Sequence, residues 1–293
     1  MYFPYLRGRQ FELVALRELL ELDLISEKIV PVVEPVKETP SLLKTLQTYT
    51  KNNRNILFIQ NPKVGSFDGT EEEFVKKSPN IINTYFLNNK TVKNVPNKDN
   101  QAIILDSPDD LDAYSNKFVN NDNNKFILIA PYKELEREIE NNRVLFANHF
   151  NLKDKNADYS YEPDEFFSSD HLYYKKEGYI GFSDYSIIGD KYTEGGFAPY
   201  AVVIHIVYID DKKRLRVHHF VSNSNDDYFD TPNKLKEALT KLVNWNKKYK
   251  YKTYGIKQFE NMYESGKYPG LGSIKKYALM HHVELINHYL LGE

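Results

Sequence analysis

The sequence predicts an α/β fold of the (β/α)8 TIM-barrel type. Short apolar strands alternate with amphipathic helices at intervals of roughly 25 residues, which is the usual size of a βα unit. These strands are apolar on both faces, as buried parallel strands are. No glycine-rich phosphate fingerprint follows the first strand, and this weakens the alternative, a doubly wound sheet.

The first unit shows the pattern most clearly. Residues 2–6 form a short aromatic and aliphatic strand, which ends in the basic turn Arg7-Gly8-Arg9. The next segment, up to residue 21, has apolar residues at helical spacing on one face and charged residues on the other. A strand that leads into a helix across a polar turn is the first half of a βα unit.

The later strands are predicted from apolar, often β-branched runs that end in polar or proline-containing turns. They cover residues 28–36, 55–60, 81–87, 101–105, 125–130, 143–147, 179–183 and 200–209. The run at 81–87 is hard to assign and is left out of the strand count, so the strand at 200–209 is the eighth. A turn at Asp210-Asp211 gives that strand an antiparallel partner at 214–221.

Helices are predicted between the strands and at the end of the chain. Those between strands begin near residues 39, 71, 109 and 134, and a helical extension of about 232–293 contains segments at 232–249, 256–264 and 273–290. The connection at 151–177 is long for a compact domain, so it is interpreted as a lid-like loop or as partly helical. No linker composition divides the chain, which predicts one domain over residues 1–293.

Composition excludes several classes of site. The 39 basic and 41 acidic residues give a net charge of -2, so no global basic field favours nucleic acid. The absence of cysteine excludes disulfides, thiolate metal sites and a cysteine nucleophile. No apolar run approaches the ~20 residues of a membrane span. These features predict a cytoplasmic protein without membrane contact.

Candidate functional residues follow from the barrel prediction, because barrel active sites lie at the carboxyl ends of the strands. The side chains at those ends include two arginines and three carboxylates. The set is Arg7, Arg9, Glu34, Asn61, Asp106, Tyr132 or Lys133, His149, Asp184 and Tyr185.

The carboxylates are the catalytic candidates. Glu34 lies between Val33 and Pro35 at the end of a buried strand, where it caps no obvious helix. A pair such as Glu34 and Asp184 is suited to hold a divalent metal or to act as acid and base. Asp106 is the third candidate, with helix capping as the alternative role.

Substrate binding is assigned to Arg7, Arg9, Asn61 and Tyr185. Two guanidinium groups flanking Gly8 are suited to hold an anionic group. Ion pairs of these arginines with Glu34 or Glu12 are the alternative, and Asn61, like Asp106, is also a common capping residue.

The segment around Ser273 and Lys275 is a further candidate. Glycines lead into a helix whose first turn carries these two residues, and helix N-termini bind phosphate. An ordinary loop with a serine N-cap is the alternative.

Histidines form weaker candidates. His205 is placed inside the eighth strand, where it would line the barrel, and strand alternation puts His218 and His219 on opposite faces. On the last helix, His281, Glu284 and His288 share one face at a spacing unlike that of zinc proteases, so packing or hydrogen bonding is preferred to metal binding. The loop 183–196 is predicted to be mobile and to lie beside the mouth of the barrel.

Several segments carry a family resemblance. They are YFPYLRGRQFELVALREL and IVPVVEPVK near the start, residues 181–185, VHHF at 217–220, and the region 272–282. In these segments the chain resembles the phage and bacterial "beta protein" family, in particular an uncharacterised bacterial subfamily of it. The resemblance implies a barrel-like α/β fold and a setting among phage, mobile-element or defence genes, and it implies no established reaction.

Two classes of function follow, with a third that is weaker. The first is a site at the barrel mouth that binds or hydrolyses a phosphorylated or nucleotide-like anion, with hydrolase or phosphodiesterase-like chemistry and a divalent metal as candidate cofactor. The second is a non-catalytic barrel that binds a partner protein encoded nearby. The third is nucleic-acid binding through KLVNWNKKYKYK at 241–252, which mixes aromatic and basic residues as stacking surfaces do.

Overall fold

A closed barrel of eight parallel strands forms the centre of the protein. The computed structural model describes residues 1–118, 123–195 and 199–293. The barrel strands are β1 (Tyr2–Leu6), β2 (Val32–Val33), β3 (Ile56–Ile59), β4 (Ile81–Phe86), β5 (Ala102–Leu105), β6 (Phe126–Ile129), β7 (Arg143–Ala147) and β9 (Gly181–Asp184), while β8 (Asp164–Ser168) lies between β7 and β9 in the chain and joins a second sheet. β1 pairs with both β2 and β9, which closes the barrel. The TIM-barrel-like prediction is therefore confirmed, and the doubly wound alternative is not.

Strand alternation produces two cores. Inward-facing side chains fill the barrel, and they are Phe3, Tyr5, Val30, Val32, Leu57, Ile59, Ile82, Phe86, Ala102, Ile104, Phe126, Leu128, Val144 and Phe146. Outward-facing residues such as Tyr2 and Leu6 join the larger core beneath the helices. Both faces of each strand are buried, which explains why the strands are apolar throughout.

Helices surround the barrel. They are α1 (Gln10–Glu21), α2 (Pro40–Lys51), α3 (Glu73–Lys77), α4 (Leu111–Phe118), α5 (Lys133–Glu138), α6 (Asp170–Tyr173), α7 (Thr231–Tyr249), α8 (Tyr254–Ser265) and α9 (Leu271–Leu291). α2 begins as the sequence predicts, with Thr39 accepting a hydrogen bond from the N–H of Leu42 at 3.1 Å and Pro40 in the first turn. α9 packs against α1, α8 and the second sheet, and it is buried over most of its circumference.

The second sheet corrects the predicted eighth strand. It is antiparallel, in the order β10–β11–β8, where β10 is Val203–Ile209 and β11 is Leu215–Val221. Residues 200–209 are thus outside the barrel, and His205 does not line it. The prediction was wrong because β10 is covered by α7 and α9, so it is apolar on both faces like a barrel strand. The irregular run at 81–87 supplies β4 instead, and β9 is the eighth strand.

The connection at 151–177 is ordered secondary structure and not a lid. It contains a 3₁₀ helix at Asn156–Ser160, then β8 and α6. β8 pairs with β11, for example Glu165 with Val217, so this segment completes the second sheet. Asp164 and Glu165 interrupt the apolar pattern of β8, which is why the sequence did not predict a strand there.

The loop after β9 lies at the barrel mouth, as predicted. Its backbone accepts hydrogen bonds from Arg7 at Asp190 and from Arg9 at Thr193. Gly196 of the predicted loop is outside the described residues. Within the described chain, no helix combines the length and hydropathy needed to cross a membrane.

Close packing of α8 on α9 depends on Gly255. A Cβ atom at this position would lie 2.1 Å from the carbonyl oxygen of Tyr277 and 2.9 Å from the Cβ of His281. Alanine in place of glycine ordinarily stabilises a helix by about 1 kcal/mol. Here the clash forces the helices apart, and overpacking of this kind costs about 1–3 kcal/mol.

We therefore expect Gly255→Ala to lower the free energy of unfolding, measured by urea denaturation. Glu264→Ala, an exposed change in the same helix, should alter it by no more than about 0.5 kcal/mol. Stabilisation by Gly255→Ala would contradict the close helix contact.

Candidate functional site at the barrel mouth

Four polar residues each come two positions after the last inward-facing residue of a barrel strand. Arg7 follows Tyr5 by two positions, Glu34 follows Val32, Asn61 follows Ile59 and Asp106 follows Ile104. Because side chains two positions apart on a strand share a face, all four point toward the barrel axis at its carboxyl end. Together with Tyr185, and with Lys63, whose ammonium group pairs with Asp106, they form what we call the polar mouth.

A buried ion pair is the centre of the polar mouth. Glu34 is fully buried, and its Oε2 atom accepts hydrogen bonds from the Tyr5 hydroxyl at 2.7 Å and from Arg7. Its Oε1 atom accepts the backbone N–H of Lys63 at 2.7 Å. A buried carboxylate needs such partners because desolvation of an unpaired charge is costly. Glu34 is therefore a fully satisfied anchor.

Arg7 is enclosed by this pair and by aromatic rings. Its guanidinium carbon lies 5.5 Å from the ring centroid of Tyr5 and 5.3 Å from that of Tyr185. Its terminal nitrogens donate to Glu34 and to the carbonyl of Asp190, while its buried Nε–H has no acceptor among the described residues. Of the two roles considered for Arg7, the structure shows the ion pair with Glu34.

Lys63 and Asp106 form the exposed part of the mouth. The Lys63 ammonium group pairs with Asp106, and their side chains are 43% and 35% exposed. The Lys63 Nζ atom also lies 4.3 Å from the ring centroid of Phe86, so one side of the cation is covered. Asp106 does not cap the following 3₁₀ helix, since Ser107 and Asp110 perform that role. This pair is the part of the mouth that a solute can reach.

Sequence reasoning missed Lys63 because it lies in the loop after β3, two residues beyond the predicted position Asn61. Asn61 itself is committed to structure, since its amide exchanges hydrogen bonds with the backbone of Phe86 at 2.8 and 2.9 Å. The signal for Lys63 was its position near a strand end, but lysine in a surface loop is too common to single out.

Tyr185 lies inside the mouth and is half-buried. Its ring centroid is 4.7 Å from that of Tyr5 and 5.1 Å from that of Phe146. Burial raises the pKa of the Tyr185 phenol above its usual value, so the hydroxyl stays protonated and can donate a hydrogen bond. The Tyr185 phenol also interacts electrostatically with the charges of Arg7 and Glu34.

Asp184 lies on the opposite face of the barrel wall. It shares that face with Phe182, whose ring stacks on Tyr2 in the outer core. Its Oδ1 atom accepts the Tyr2 hydroxyl at 2.8 Å and the N–H of Ser186 at 2.7 Å. The proposed carboxylate pair of Glu34 and Asp184 therefore does not form one site.

Three further candidates lie at the rim or outside it. Arg9 donates to the carbonyl of Thr193 at 2.5 Å and stacks on Tyr192 at 4.9 Å, away from Glu34. Ser273 is in the first turn of α9, whose N-cap is Gly270, so the expected serine cap is absent at that position. Lys275, two residues further along α9, is exposed, and its charge is repelled by Arg9 and attracted by Glu12.

The remaining strand-end candidates have structural contacts. His149 bonds through Nε2 to Asp170 at 2.6 Å, at the start of α6. Tyr132 is the N-cap of α5, and Lys133 is its first residue.

The turn at Gly8 explains how Arg7 and Arg9 diverge. Gly8 has a φ of +63°, and a Cβ there would lie 3.1 Å from the carbonyl oxygen of Glu34. Both features favour glycine. The turn sends Arg7 into the mouth and Arg9 to the rim.

The histidines of α9 are hydrogen bonded within the core. His281 bonds to Thr253 at 2.7 Å and to the carbonyl of Val207 at 2.7 Å, and His282 bonds to Ser186 at 2.7 Å. Across the described residues, no group of three His, Asp, Glu or Cys side chains is arranged to hold a metal ion. The predicted hydrogen bonding is seen for His281, while His288 is partly exposed and its Nε2 lies 4.0 Å from a Glu284 carboxylate oxygen.

Comparison of the chain with family models, curated proteins and solved structures gave no match.

Removal of the Glu34 carboxylate should strongly lower the free energy of unfolding. Glu34→Ala leaves the Arg7 guanidinium buried without a counter-charge, and breaking such a pair costs about 3–5 kcal/mol. The free energy of unfolding from urea denaturation at pH 7 measures this loss. Asp106→Ala breaks a partly exposed pair and should cost no more than about 1 kcal/mol. Equal losses in the two variants would contradict the distinction between anchor and exposed pair.

The Asp184 carboxyl should make stability depend on pH. Burial raises its pKa to about 6, against an ordinary value of about 3.9. Between pH 4 and 6 the folded protein keeps a proton that the unfolded chain releases, so the free energy of unfolding falls as pH rises through this window. The loss is on the order of 2–3 kcal/mol.

Asp184→Asn keeps an oxygen for Tyr2 and Ser186 but cannot ionise. The difference in unfolding free energy between this variant and the wild type should therefore grow in the variant's favour from pH 4 to pH 6. A difference that is constant across these pH values would contradict the raised pKa.

Proposed function

We propose that the polar mouth binds a small anionic molecule, with a phosphorylated or nucleotide-like compound as the ligand class. The partly exposed ion pair of Lys63 and Asp106 carries this proposal. It lies at the carboxyl end of a closed parallel barrel, which is where ligand sites of this architecture lie. The other charged groups of the mouth are buried and matched with each other.

The proposal assigns the anion to Lys63 and not to Arg7. Arg7 is neutralised by Glu34 and is 6% exposed, so an anion would have to displace a buried carboxylate to reach it. Lys63 has only a partly exposed partner, and such pairs contribute little stability. An incoming phosphate can therefore replace Asp106 at the Lys63 ammonium at low cost.

One further feature supports an anionic ligand. At the rim, Arg9 and Lys275 place two cations near one another, and Glu12 is a carboxylate near both of them. Positive charge at the rim attracts anions toward the Lys63 ammonium.

Asp106 is the residue we propose for acid–base chemistry. When the ligand occupies Lys63, the Asp106 carboxylate loses its counter-charge while it remains beside the bound anion. A carboxylate in that position is able to move a proton to or from the ligand or an attacking water. This chemistry fits a hydrolase or phosphodiesterase-like reaction.

The biological setting we propose is phage–host conflict or a mobile-element gene cluster. It rests on the resemblance of the segments near Tyr2, Gly181 and Gly272 to the "beta protein" family, and on nothing in the fold itself. The binding proposal does not depend on it.

An exposed aromatic cluster favours partner binding as the second candidate. Tyr200, Tyr228 and Phe229 are 56%, 49% and 61% exposed, and their rings lie 6.2 Å (Tyr200 to Tyr228) and 4.4 Å (Tyr228 to Phe229) apart. Exposed aromatic side chains that contact one another are typical of protein interfaces. This cluster does not include any residue of the polar mouth.

The structure gives nucleic-acid binding less support. In the segment at 241–252, Trp245 stacks on Tyr249 at 4.1 Å, and Tyr251 lies 6.1 Å from Trp245 in a nearly parallel orientation. These rings stack on one another, so they do not present the series of free aromatic faces on which the successive bases of a strand would stack.

Ligand binding at the mouth can be tested without disturbing the buried anchor. We expect inorganic phosphate, a sugar phosphate or a nucleoside phosphate to raise the stability of the wild type by about 2.7 kcal/mol at 100 times its dissociation constant, measured by thermal shift. Lys63→Ala should weaken the affinity about ten- to a hundred-fold, because it removes a charge-assisted hydrogen bond. Isothermal titration measures the affinity.

Two controls make the test decisive. Lys63→Arg keeps the cation and should retain binding, and Lys247→Ala removes an exposed lysine of α7 and should leave affinity unchanged. The proposal fails if no phosphate compound stabilises the wild type, or if Lys63→Ala binds as tightly as the wild type. Asp106→Asn should then abolish turnover while binding is retained, if the ligand is hydrolysed.

A further inference from the structure

A second cavity lies in the added sheet, separate from the polar mouth. It has a volume of about 310 Å³ and is bounded by the end of β11, the segment before β8 and one face of α7. Its walls include Ser160, Pro163, His218, Phe220, Lys241 and Trp245. None of these residues belongs to the polar mouth. A volume near 300 Å³ is at the lower end of the range for small-molecule sites.

One wall carries an imidazole held in a fixed orientation. His218 bonds through Nδ1 to Asp164 Oδ2 at 3.0 Å. Since a carboxylate accepts, Nδ1 carries the hydrogen, and in the neutral imidazole Nε2 then holds a lone pair. Nε2 makes no hydrogen bond to any residue of the described chain. It is therefore available to a donor group of a molecule in the cavity.

Asp164 is strongly held in this role. It also accepts hydrogen bonds from the Tyr208 hydroxyl at 2.8 Å and from Arg216 Nε at 2.5 Å. Although burial raises the pKa of the Asp164 carboxyl, its hydrogen bonds outweigh this effect and hold the pKa below its ordinary value. The Asp164 carboxylate cannot rotate away from His218 without breaking its hydrogen bonds to Tyr208 and Arg216. The orientation of the imidazole is thus preset before any ligand arrives.

A second wall is aromatic. The indole of Trp245 contacts the Phe220 ring edge-on at 5.5 Å and lies nearly parallel to the His218 ring at 5.9 Å. Tyr249 stacks on the same indole at 4.1 Å and fixes its plane. Aromatic side chains with fixed planes are suited to contact another ring in an offset or edge-on geometry. This wall therefore selects for a ring in the ligand.

The third element is positive charge. Lys241 is exposed, and its ammonium group donates to the carbonyl of Val221 at 2.6 Å. An ammonium group has three donors, so two remain for a ligand. No carboxylate is among the residues that line the cavity. Glu237, four residues before Lys241 in α7, interacts with its charge and accepts hydrogen bonds from the backbone N–H groups of Asn223 and Ser224. A negatively charged ligand group would share the Lys241 ammonium with Glu237.

We propose that this cavity binds a small molecule that joins an aromatic ring to a negatively charged group, such as a nucleoside monophosphate. The ring contacts Trp245 and Phe220, the anion contacts Lys241, and a donor of the ligand bonds to His218 Nε2. The cavity is too small for an oligonucleotide to enter. This site is independent of the function proposed for the barrel mouth.

The single tryptophan of the chain makes the proposal directly testable. Trp245 lines the cavity, so binding should change its fluorescence. The probes are adenosine monophosphate and 4-hydroxybenzoate, which combine a ring with an anion, and adenosine and inorganic phosphate, which carry one feature each. We expect a saturable change with at least one ring-bearing anion, and an affinity at least ten-fold higher for adenosine monophosphate than for adenosine or phosphate if the nucleotide binds.

Four variants assign the signal to the cavity. Lys241→Ala and His218→Ala should each weaken binding at least ten-fold, with circular dichroism and thermal midpoint showing that they fold. Lys248→Ala, an exposed lysine of the same helix, and Lys63→Ala, at the barrel mouth, should bind as the wild type does. Retained binding in Lys241→Ala and His218→Ala would overturn the proposal. So would the absence of a saturable change with both ring-bearing anions at millimolar concentration, or equal affinity for adenosine and its monophosphate.

Discussion

The buried charge of Glu34 is the constraint on which the barrel mouth depends. A carboxylate that loses its water must be paired and hydrogen bonded, and here the partners come from different parts of the chain. Tyr5 belongs to β1, Arg7 to the turn after β1, and the Lys63 N–H to the loop after β3. Meeting the requirements of one side chain therefore fixes the relative positions of the first three strand ends. It also places the Lys63 side chain next to Asp106.

This arrangement divides the charges of the mouth into two kinds. Arg7 and Glu34 are matched and enclosed, so they shape the site without being free to bind. Lys63 and Asp106 are half-exposed, and their attraction is weakened by water. Charged groups that exchange partners easily are the ones that can bind and release a ligand. The buried pair supplies rigidity, and the exposed pair supplies the interaction that a ligand can replace.

The sequence predicted the barrel because a strand that is buried on both faces is apolar throughout, and this can be read from each short segment by itself. It could not tell a barrel strand from β10, since α7 and α9 bury β10 in the same way. Strand alternation alone would have placed Asp184 and Tyr185 on opposite faces, because they are adjacent, yet both were assigned to one site. Glu34 stands out in the sequence as a carboxylate with no helix to cap, and the structure places it in the buried pair with Arg7. Lys63 could not be found, because only the fold brings its loop to Asp106.

The adjacent histidines of α9 show how a motif that resembles a metal site can join two sheets. Successive residues on a helix point about 100° apart, so His281 and His282 reach different neighbours. His281 bonds to the carbonyl of Val207 in β10, while His282 bonds to Ser186 just after β9. Burial lowers the pKa of His281 to about 4 and that of His282 to about 3, so both rings are neutral at physiological pH. The neutral His281 ring bonds through both nitrogens without a buried charge, whereas His282 bonds through Nδ1 and its buried Nε2 has no partner among the described residues. α9 thereby connects the barrel wall to the second sheet through hydrogen bonds that physiological pH does not disrupt. The polar mouth belongs to the barrel and the second cavity to that sheet, so this connection holds together the elements on which both sites are built.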